Sequence, residues 1–404
     1  MVGFYIADPD DIKKGRTTDI YFMRTVEVLK KDGKDKVHVD MEITTNKLPY
    51  GFSWGILSGV NEVIALLKDL RLDLYIMREG TLFKPRDDYG VRIPIGIISG
   101  PYGEFAIYET PLLGLLCQAS GIATYSAHIR FNAPDKILLS FGARRMHPAI
   151  TPLIDYAAYI AGFDGISAVI SAEKLGVNPS GTMPHALIII YGDQREAWKA
   201  FDKYVSEDVP RIALIDTFSD EKTEALLAAE ALGSRLYGVR LDTPGSRRGD
   251  IGEVIREVRW ELDIRGYKNV KIFLSGGVDL DEVKKLRDAP VDGFGIGTSV
   301  SNAKTIDFAL DIVAKEGRPI AKRGKYSGIK NVYRCPKCYS FKVVPWDKVT
   351  DKKIKCDKCG SDMEGLLAKV VEDGKIIIEP PKPSETREYV LKQLEDIRRL
   401  GWSD

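Results

Sequence analysis

Residues 270–299 read V-K-I-F-L-S-G-G-V-D-L-D-E-V-K-K-L-R-D-A-P-V-D-G-F-G-I-G-T-S. The mostly apolar run at the start predicts a strand that ends at Ser275-Gly276-Gly277, and Asp279 begins an amphipathic helix. A second apolar strand, Gly293–Ile296, ends at Gly297-Thr298-Ser299. Strand, helix and strand in this order predict parallel strands in one sheet.

The same alternation of short apolar strands and longer helices runs upstream and downstream of this segment. The other predicted strands cover residues 137–141, 211–216 and 236–240. Two further helices are predicted over residues 221–232 and 251–262, and two more begin near Ala149 and near Lys304. So many units in series favour an irregular βα barrel over an open sheet, within an α/β fold.

The chain has 404 residues, more than one core usually covers, so two or three domains are expected. Residues 1–120 mix strands and helices and predict an N-terminal α/β domain. Residues 121–320 carry the barrel, and residues 321–404 predict a small zinc-ribbon domain with a terminal helix.

The overall charge of the chain argues against partners, such as nucleic acids, that are attracted by a large net positive charge. Lys and Arg number 59 against 58 Asp and Glu, a net charge of +1, so no nucleic-acid partner is expected. No apolar run is long enough to span a membrane, and the N-terminus has no basic region typical of a secretory signal. These features predict a cytoplasmic protein.

Four of the five cysteines form two pairs, Cys335-Pro336-Lys337-Cys338 and Cys356-Asp357-Lys358-Cys359, in a C-x2-C-x17-C-x2-C pattern. Four thiolates with no open position predict a structural Zn²⁺ site. A nucleic-acid-binding ribbon is the alternative, but no aromatic stripe accompanies the lysines. Those lysines are Lys337, Lys342, Lys348, Lys352, Lys353, Lys355 and Lys358.

Two glycine-containing loops follow successive predicted strands, at residues 275–277 and 297–299. Backbone N–H groups before a helix bind phosphate, and glycine lets the backbone approach closely. Loops after the last strands of a βα barrel are a frequent phosphate site. The alternative is that both are ordinary turns between a strand and a helix.

Two further loops carry groups suited to a small planar anion and to proton or phosphoryl transfer. Phe141-Gly142-Ala143-Arg144-Arg145 places an aromatic face beside two guanidinium groups. Gly181-Thr182-Met183-Pro184 precedes His185, which such a turn can hold for nucleophilic or acid–base work. A hydrogen bond that merely orders the loop is the alternative for this histidine.

Two carboxylates close predicted strands, where they face the mouth of a barrel. Asp216 ends one strand, and Asp242 follows Arg240 at the end of the next. Such groups can hold Mg²⁺ or accept ribose hydroxyls. In the alternative, Asp216 or Thr217 only caps the following helix.

Taken together, these segments resemble the nicotinate phosphoribosyltransferases, type II phosphoribosyltransferases, in their archaeal-type form with a C-terminal zinc ribbon. The resemblance covers nearly the whole chain. The motifs that carry it are Thr18-Asp19-Ile20-Tyr21, Phe141-Gly142-Ala143-Arg144-Arg145, Gly181-Thr182-Met183-Pro184-His185, Arg240-Leu241-Asp242, Ser275-Gly276-Gly277 and Gly297-Thr298-Ser299.

The resemblance implies that nicotinate and phosphoribosyl pyrophosphate yield nicotinate mononucleotide and pyrophosphate in NAD salvage. ATP, the co-substrate, would be hydrolysed through a phosphorylated His185, with Thr182 beside the nicotinate. Phe141 would stack on the pyridine, and Tyr21 of a second subunit would cover its other face. The enzyme would then be a homo-oligomer with its active site at a subunit interface.

The resemblance also assigns the charged groups. Arg144 or Arg240 would meet the nicotinate carboxylate or the ribose phosphate. Asp216 and Asp242 would serve Mg²⁺ and the ribose hydroxyls. The loops at Ser275, Gly276, Gly277, Gly297, Thr298 and Ser299 would hold the 5′-phosphate.

Ser167 follows Gly165-Ile166, where nicotinamide-using relatives carry an aspartate that accepts from the amide. A carboxylate repels nicotinate and a hydroxyl does not, so the acid is the expected substrate. One rival is a decarboxylating quinolinate phosphoribosyltransferase, which lacks the histidine loop and needs more cations. Another is a zinc-bearing barrel enzyme that exchanges bases in tRNA, which the balanced charge disfavours.

Overall fold

The structure is a computed structural model that describes residues 3–346 and 354–403. Its contacts divide the chain into two compact units, Met1–Ala127 with Lys304–Asp404, and His128–Ala303. These divisions differ from the boundaries expected at residues 120 and 320, because the chain after residue 303 folds with the N-terminal part.

The elements of the N-terminal part precede residue 133. They are α1 (Pro9–Lys13), α2 (Ile20–Lys31), β1 (His38–Thr45), β2 (Gly55–Ile56), α3 (Val60–Leu67), β3 (Asp73–Ile76), β4 (Leu82–Phe83), β5 (Gly96–Pro101), α4 (Tyr102–Phe105) and α5 (Glu109–Asn132).

The middle of the chain alternates strands and helices. Its elements are β6 (Ile137–Ser140), α6 (Thr151–Ile160), β7 (Gly165–Ile166), α7 (Val169–Leu175), α8 (His185–Tyr191), α9 (Gln194–Tyr204), β8 (Ile212–Leu214), α10 (Glu221–Leu232), β9 (Gly238–Leu241), α11 (Gly245–Arg248), α12 (Ile251–Ile264), β10 (Lys271–Leu274), α13 (Leu280–Leu286), β11 (Gly293–Ile296) and α14 (Thr298–Ser301).

The C-terminal part is mostly strands and ends in a long helix. Its elements are β12 (Phe308–Lys315), β13 (Arg318–Pro319), β14 (Lys330–Arg334), β15 (Phe341–Pro345), β16 (Glu364–Gly365), β17 (Ala368–Glu372), β18 (Lys375–Ile376) and α15 (Pro383–Arg399).

The first unit is built on a seven-stranded sheet in the order β13-β12-β1-β5-β3-β17-β18. Strand β12 pairs antiparallel with β1, from Thr45 opposite Phe308 to Val39 opposite Lys315. The prediction of a helix that begins near Lys304 is therefore wrong, because this segment forms strand β12. The run F-A-L-D-I-V-A-K contains the strand-forming residues Phe, Ile and Val, and β1 pairs with it on the side not taken by β5.

The second unit holds a six-stranded parallel sheet in the order β7-β6-β11-β10-β9-β8. The α/β class and the central βα architecture are confirmed. Among the described residues β7 and β8 are not paired with each other, so the sheet is an open half-barrel. Leu139, Ile212 and Phe273 form a buried cluster inside it, with Phe141 packed against them.

Aspartates set the start of several helices in this unit. Asp193, Asp220, Asp250 and Asp279 precede α9, α10, α12 and α13, and each side chain accepts a backbone N–H of the first turn. The N-cap of α10 is thus Asp220, so the alternative in which Asp216 or Thr217 caps this helix is wrong.

The cysteine-bearing segment forms the three-stranded sheet β15-β14-β16 in the first unit. Helix α15 buries Val390, Leu394 and Ile397, and Nε2 of Gln393 donates to the carbonyl oxygen of Gly80 at 2.9 Å. The separate three-stranded sheet and its four-cysteine cluster confirm the small C-terminal domain, which packs within the first unit. Within residues 3–346 and 354–403, no helix is both long and apolar enough to cross a bilayer.

Candidate active site

The carboxyl ends of all six parallel strands meet at one edge of the half-barrel. The residues at or just after those ends are Phe141, Ser167, Asp216, Asp242, Ser275 and Gly297. They surround a cavity of about 790 Å³, called the strand-end cavity below, and all of them except Asp216 line it directly. Strand order thus gathers side chains that are far apart in sequence.

Both glycine loops open onto the strand-end cavity. Gly276 has φ +81°, and a Cβ there would lie 2.8 Å from the carbonyl oxygen of Asp242. Gly277 has φ +75° with no atom within 4 Å of an added Cβ, so its backbone borders open space. Thr298 and Ser299 line the same cavity at the start of α14. Main-chain N–H groups at such turns suit a phosphate.

The ring of Phe141 lies against the backbone of the neighbouring strand β11. A Cβ on Gly295 would be 2.3 Å from Cε2 of Phe141, so only glycine leaves room for the ring. The backbone N–H of Phe141 donates to the carbonyl oxygen of Ile296 at 2.8 Å. This bond and the packing fix a half-buried aromatic side chain that also lines the cavity.

Arg240 is committed to protein partners on two sides. Its Nη1 donates to Oγ of Ser275 and its Nη2 to the carbonyl oxygen of Met183, each at 3.0 Å. Its side chain is only 12% exposed. Burial lowers the pKa of Arg240, and the nearby Arg144 lowers it further, against the opposite effect of Asp242. Arg240 therefore links the 275 loop to the histidine loop.

Arg144 and Arg145 are the freer cations of the strand-end cavity. Both are exposed, both line the cavity, and neither has an ion pair with a carboxylate of the described chain. With Arg240 they bring three guanidinium groups to one cavity. Such a concentration of positive charge favours an anionic ligand.

His185 is the first residue of α8 and faces two strand-end carboxylates. Its Nε2 lies 3.7 Å from Oδ1 of Asp216 and 3.7 Å from Oδ2 of Asp242. Its other ring nitrogen, Nδ1, lies 3.1 Å from Oγ1 of Thr217. Both sides of the imidazole thus have polar neighbours, an arrangement suited to proton or phosphoryl transfer.

The two carboxylates are themselves held in place. Oδ2 of Asp216 accepts from the backbone N–H of Asp242 at 2.9 Å and contacts Oγ1 of Thr243 at 3.1 Å. Oγ of Ser275 donates to Oδ1 of Asp242 at 2.6 Å. Burial raises the pKa of Asp216, while His185 and the bonds from residues 242 and 243 act to lower it. A buried carboxylate pair beside a histidine is suited to a divalent cation.

Most residues singled out from the sequence line this one cavity. They are Phe141, Arg144, Ser167, Thr182, His185, Arg240, Asp242, Ser275, Gly276, Gly277, Gly297, Thr298 and Ser299, and Asp216 lies directly behind Asp242. Tyr21 is placed elsewhere, on α2 of the first unit, with its side chain 56% exposed. The notion that it serves a neighbouring subunit stays a prediction.

Several site residues carry no clear sequence signal. Thr217 and Glu224 support His185, and Asp279 lines the cavity. Thr217 could have been found because it follows a strand-end aspartate. Glu224 is one of three acids on α10, and only its buried position in the structure identifies it.

The four predicted cysteine ligands come together in the first unit. The Sγ atoms of Cys335, Cys338, Cys356 and Cys359 all lie within 4.8 Å of one another. Four sulfur atoms around one point form a donor set that fits a metal such as zinc.

Three of the four described lysines beside these cysteines are paired with acids, and Lys337 is exposed. Lys342 pairs with Asp357 at 2.8 Å, Lys355 with Asp362 at 2.5 Å and Lys358 with Asp88 at 2.9 Å. Lys348, Lys352 and Lys353 lie outside the described residues. Paired lysines have less charge to offer a nucleic acid.

Comparisons with known proteins agree on one family. Residues 122–311 match the C-terminal domain of quinolinate phosphoribosyl transferase, and residues 19–120 match its N-terminal domain. A nicotinate phosphoribosyltransferase of Mycobacterium tuberculosis is 27% identical over 344 residues, covering 77% of this chain and 75% of the relative.

Solved structures of phosphoribosyltransferases and related enzymes are similar to this chain as well. A crystal structure of a nicotinate-nucleotide pyrophosphorylase from Pyrococcus furiosus is 51% identical, with a TM-score of 0.94 and 100% of each chain covered. Human nicotinic acid phosphoribosyltransferase superposes with a TM-score of 0.72 at 20% identity, covering 95% of this chain and 94% of that one. The human structure shows a likeness of fold alone.

Proposed function

Because this chain belongs to the type II phosphoribosyltransferase family of pyridine-nucleotide biosynthesis, we propose that it joins nicotinate to phosphoribosyl pyrophosphate, producing nicotinate mononucleotide and pyrophosphate. One observation carries the proposal. The two glycine loops, Phe141 and the His185–Asp216–Asp242 group border or support a single cavity.

The nicotinate ring would lie on Phe141, with its carboxylate toward Arg144. The unpaired state of Arg144 supports this, since an exposed guanidinium can form a two-point contact with a carboxylate. Ser167 lines the same cavity and adds no negative charge. The ring nitrogen is already nucleophilic, so the chain need not supply a strong base.

The sugar phosphate would be held by the main chain at residues 275–277 and 297–299. Displacement at the anomeric carbon passes through an oxocarbenium-like state, so positioning and leaving-group stabilisation dominate the rate. Asp216 and Asp242 would hold Mg²⁺ or the ribose hydroxyls. When bound, Mg²⁺ neutralises the charge of the departing pyrophosphate.

ATP would act through His185. In this step the histidine nitrogen forms a bond to the γ-phosphorus of ATP, ADP leaves, and water later cleaves the P–N bond to release phosphate. The two carboxylates 3.7 Å from Nε2 support this role, because they polarise the imidazole and can help to bind the cation of a metal nucleotide.

The remaining assignments are proposals of the same kind. Zn²⁺ in the four-cysteine cluster would be structural, since four thiolates leave no open position. Tyr21 would serve the site of a second subunit in a homo-oligomer. The reduced thiols and the charged substrates suit a cytoplasmic enzyme.

Quinolinate is the second candidate substrate, because residues 19–120 and 122–311 match the two domains of quinolinate phosphoribosyl transferase. Quinolinate has two carboxylates. Three guanidinium groups line the strand-end cavity, and Arg240 already uses both terminal nitrogens. This leaves Arg144 and Arg145 as the free cations, and a site with few free cations favours nicotinate, which has one carboxylate, over quinolinate, which has two.

A direct assay separates these candidates. The protein is incubated with phosphoribosyl pyrophosphate and nicotinate, nicotinamide or quinolinate, with and without ATP, and the nucleotide and any CO₂ are identified. Nicotinate mononucleotide from nicotinate, increased by ATP, supports the proposal. Release of CO₂ from quinolinate at a higher kcat/KM rejects it.

A further inference from the structure

Glu224 is a fully buried carboxylate on α10, behind the loop that follows Asp216. Its Oε1 accepts from the backbone N–H groups of Phe218 at 2.7 Å and Ser219 at 2.8 Å, and its Oε2 accepts from that of Thr217 at 3.1 Å. A carboxylate engaged by three backbone donors fixes a loop strongly, because each bond is charge-assisted.

The loop fixed in this way makes a second contact, to His185. Nδ1 of His185 lies 3.1 Å from Oγ1 of Thr217. The hydrogen bond on one ring nitrogen fixes the rotation of the imidazole, and so decides where the other nitrogen points. The other nitrogen here is Nε2, between Asp216 and Asp242.

Glu221, an acid on the same turn of α10, holds the end of the neighbouring strand β9 through Thr243. Oγ1 of Thr243 donates to Oε1 of Glu221 at 2.5 Å and contacts Oδ2 of Asp216 at 3.1 Å. Glu221 and Glu224 are three residues apart on α10 and so lie on adjacent positions of its first turn. The start of α10 therefore supports both carboxylate-bearing strand ends.

We propose that Glu224 is a positioning residue for His185, acting through the hydroxyl of Thr217. It contacts neither substrate nor reacting atoms. It holds the 217–219 loop so that Thr217 fixes the orientation of the imidazole for phosphoryl transfer. The inference rests on the proposed phosphorylation of His185.

The test compares Thr217→Val, which keeps the shape and removes the hydroxyl, with Thr217→Ser, which keeps the hydroxyl. Phosphohistidine is measured with γ-labelled ATP, beside the ATP-independent rate of nucleotide formation. Thr217→Val is expected to lower the labelling rate about tenfold, the scale of one lost hydrogen bond, with a smaller loss in the ATP-independent rate. Thr217→Ser is expected to restore labelling.

Glu224→Gln places an amide N–H₂ among backbone donors, so a similar or larger loss of labelling is expected. Its matched control is Glu230→Gln, an exposed acid on the same helix. Thermal unfolding of each variant shows which are folded. If Glu224→Gln does not fold, Glu224→Asp is the second variant, because its shorter side chain keeps the charge but does not reach all three N–H groups. Wild-type labelling in a folded Glu224 variant rejects the positioning role of Glu224.

A second readout does not depend on activity. Two-bond ¹H–¹⁵N correlation spectra of labelled histidine report the surroundings of both ring nitrogens. The ring-nitrogen shifts of His185 are expected to be alike in the wild type and in Thr217→Ser, and to differ in Thr217→Val. Wild-type labelling in Thr217→Val overturns the inference.

His185→Ala separates failure of this inference from failure of the proposed function. Retention of ATP coupling in His185→Ala rejects the phosphohistidine and the inference together. Loss of coupling in His185→Ala with wild-type labelling in Thr217→Val rejects the positioning role alone.

Discussion

Nε2 of His185 lies 3.7 Å from Oδ2 of Asp242, and the same nitrogen lies at the same distance from Oδ1 of Asp216. The two aspartates follow neighbouring parallel strands, and the backbone N–H of Asp242 donates to the carboxylate of Asp216. One imidazole thus faces two acids whose separation the sheet sets. This relationship makes the role of the histidine directly testable.

Removal of the imidazole should uncouple ATP from nucleotide formation. His185→Ala is expected to retain the fold and the ATP-independent reaction, because the phosphate loops do not depend on it. Stimulation by ATP should disappear, and labelled phosphate should no longer join the protein. His38→Ala is the control, since His38 bonds Ser99 in the first unit and lies outside the strand-end cavity. Full ATP stimulation in His185→Ala contradicts the assignment.

A carboxylate at position 167 should change the choice between acid and amide. Ser167→Asp is expected to lower kcat/KM for nicotinate by about 10- to 100-fold, because the new charge faces an anionic substrate across the cavity. The rate with nicotinamide should rise relative to nicotinate. Ser167→Ala removes the hydroxyl without adding charge and should change this ratio little. An unchanged ratio in Ser167→Asp would place the base away from residue 167.

The four-cysteine cluster should contain about one Zn²⁺ per chain by elemental analysis. Cys356→Ser is expected to lose the metal and to unfold at a lower temperature, because binding of a structural metal contributes to folding. Cys117→Ser is the matched control, as Cys117 lies outside the cluster. A metal-free protein with unchanged thermal stability contradicts the structural assignment.

Glu42 should make the stability of the protein depend on pH. Burial raises the pKa of Glu42 to about 7, although the ion pair with Lys330 at 3.0 Å opposes this shift. The folded state therefore holds a proton that the unfolded state releases above about 4.5. This contribution is present at low pH and is lost as the pH rises toward 7.

The measurement is the free energy of unfolding of the wild type minus that of Glu42→Gln, followed from pH 4 to 8. The difference should fall by about 3 kcal/mol across this range, since one pKa unit corresponds to about 1.4 kcal/mol. Glu27→Gln, an exposed acid on α2, should show no such trend. A pH-independent difference for Glu42→Gln shows that this carboxyl titrates normally.

The sequence was sufficient for the local features of the second unit. The predicted strand at residues 270–274 and the helix capped by Asp279 both appear in the structure. Each of these depends on neighbours within a few residues, through apolar periodicity and capping. Strand β12 was missed because its partner β1 lies far away in sequence, and the same apolar run also fits a helix.

The sequence by itself determined which residues end the parallel strands, and so which groups reach the carboxyl edge, because a strand, its loop and the next helix are local. It also determined the cysteine spacing that fits a metal. Only the tertiary structure decided that β11 lies between β6 and β10, which seats Phe141 against Gly295. It alone placed Glu224 behind His185, because that contact depends on packing between distant segments and leaves no local pattern.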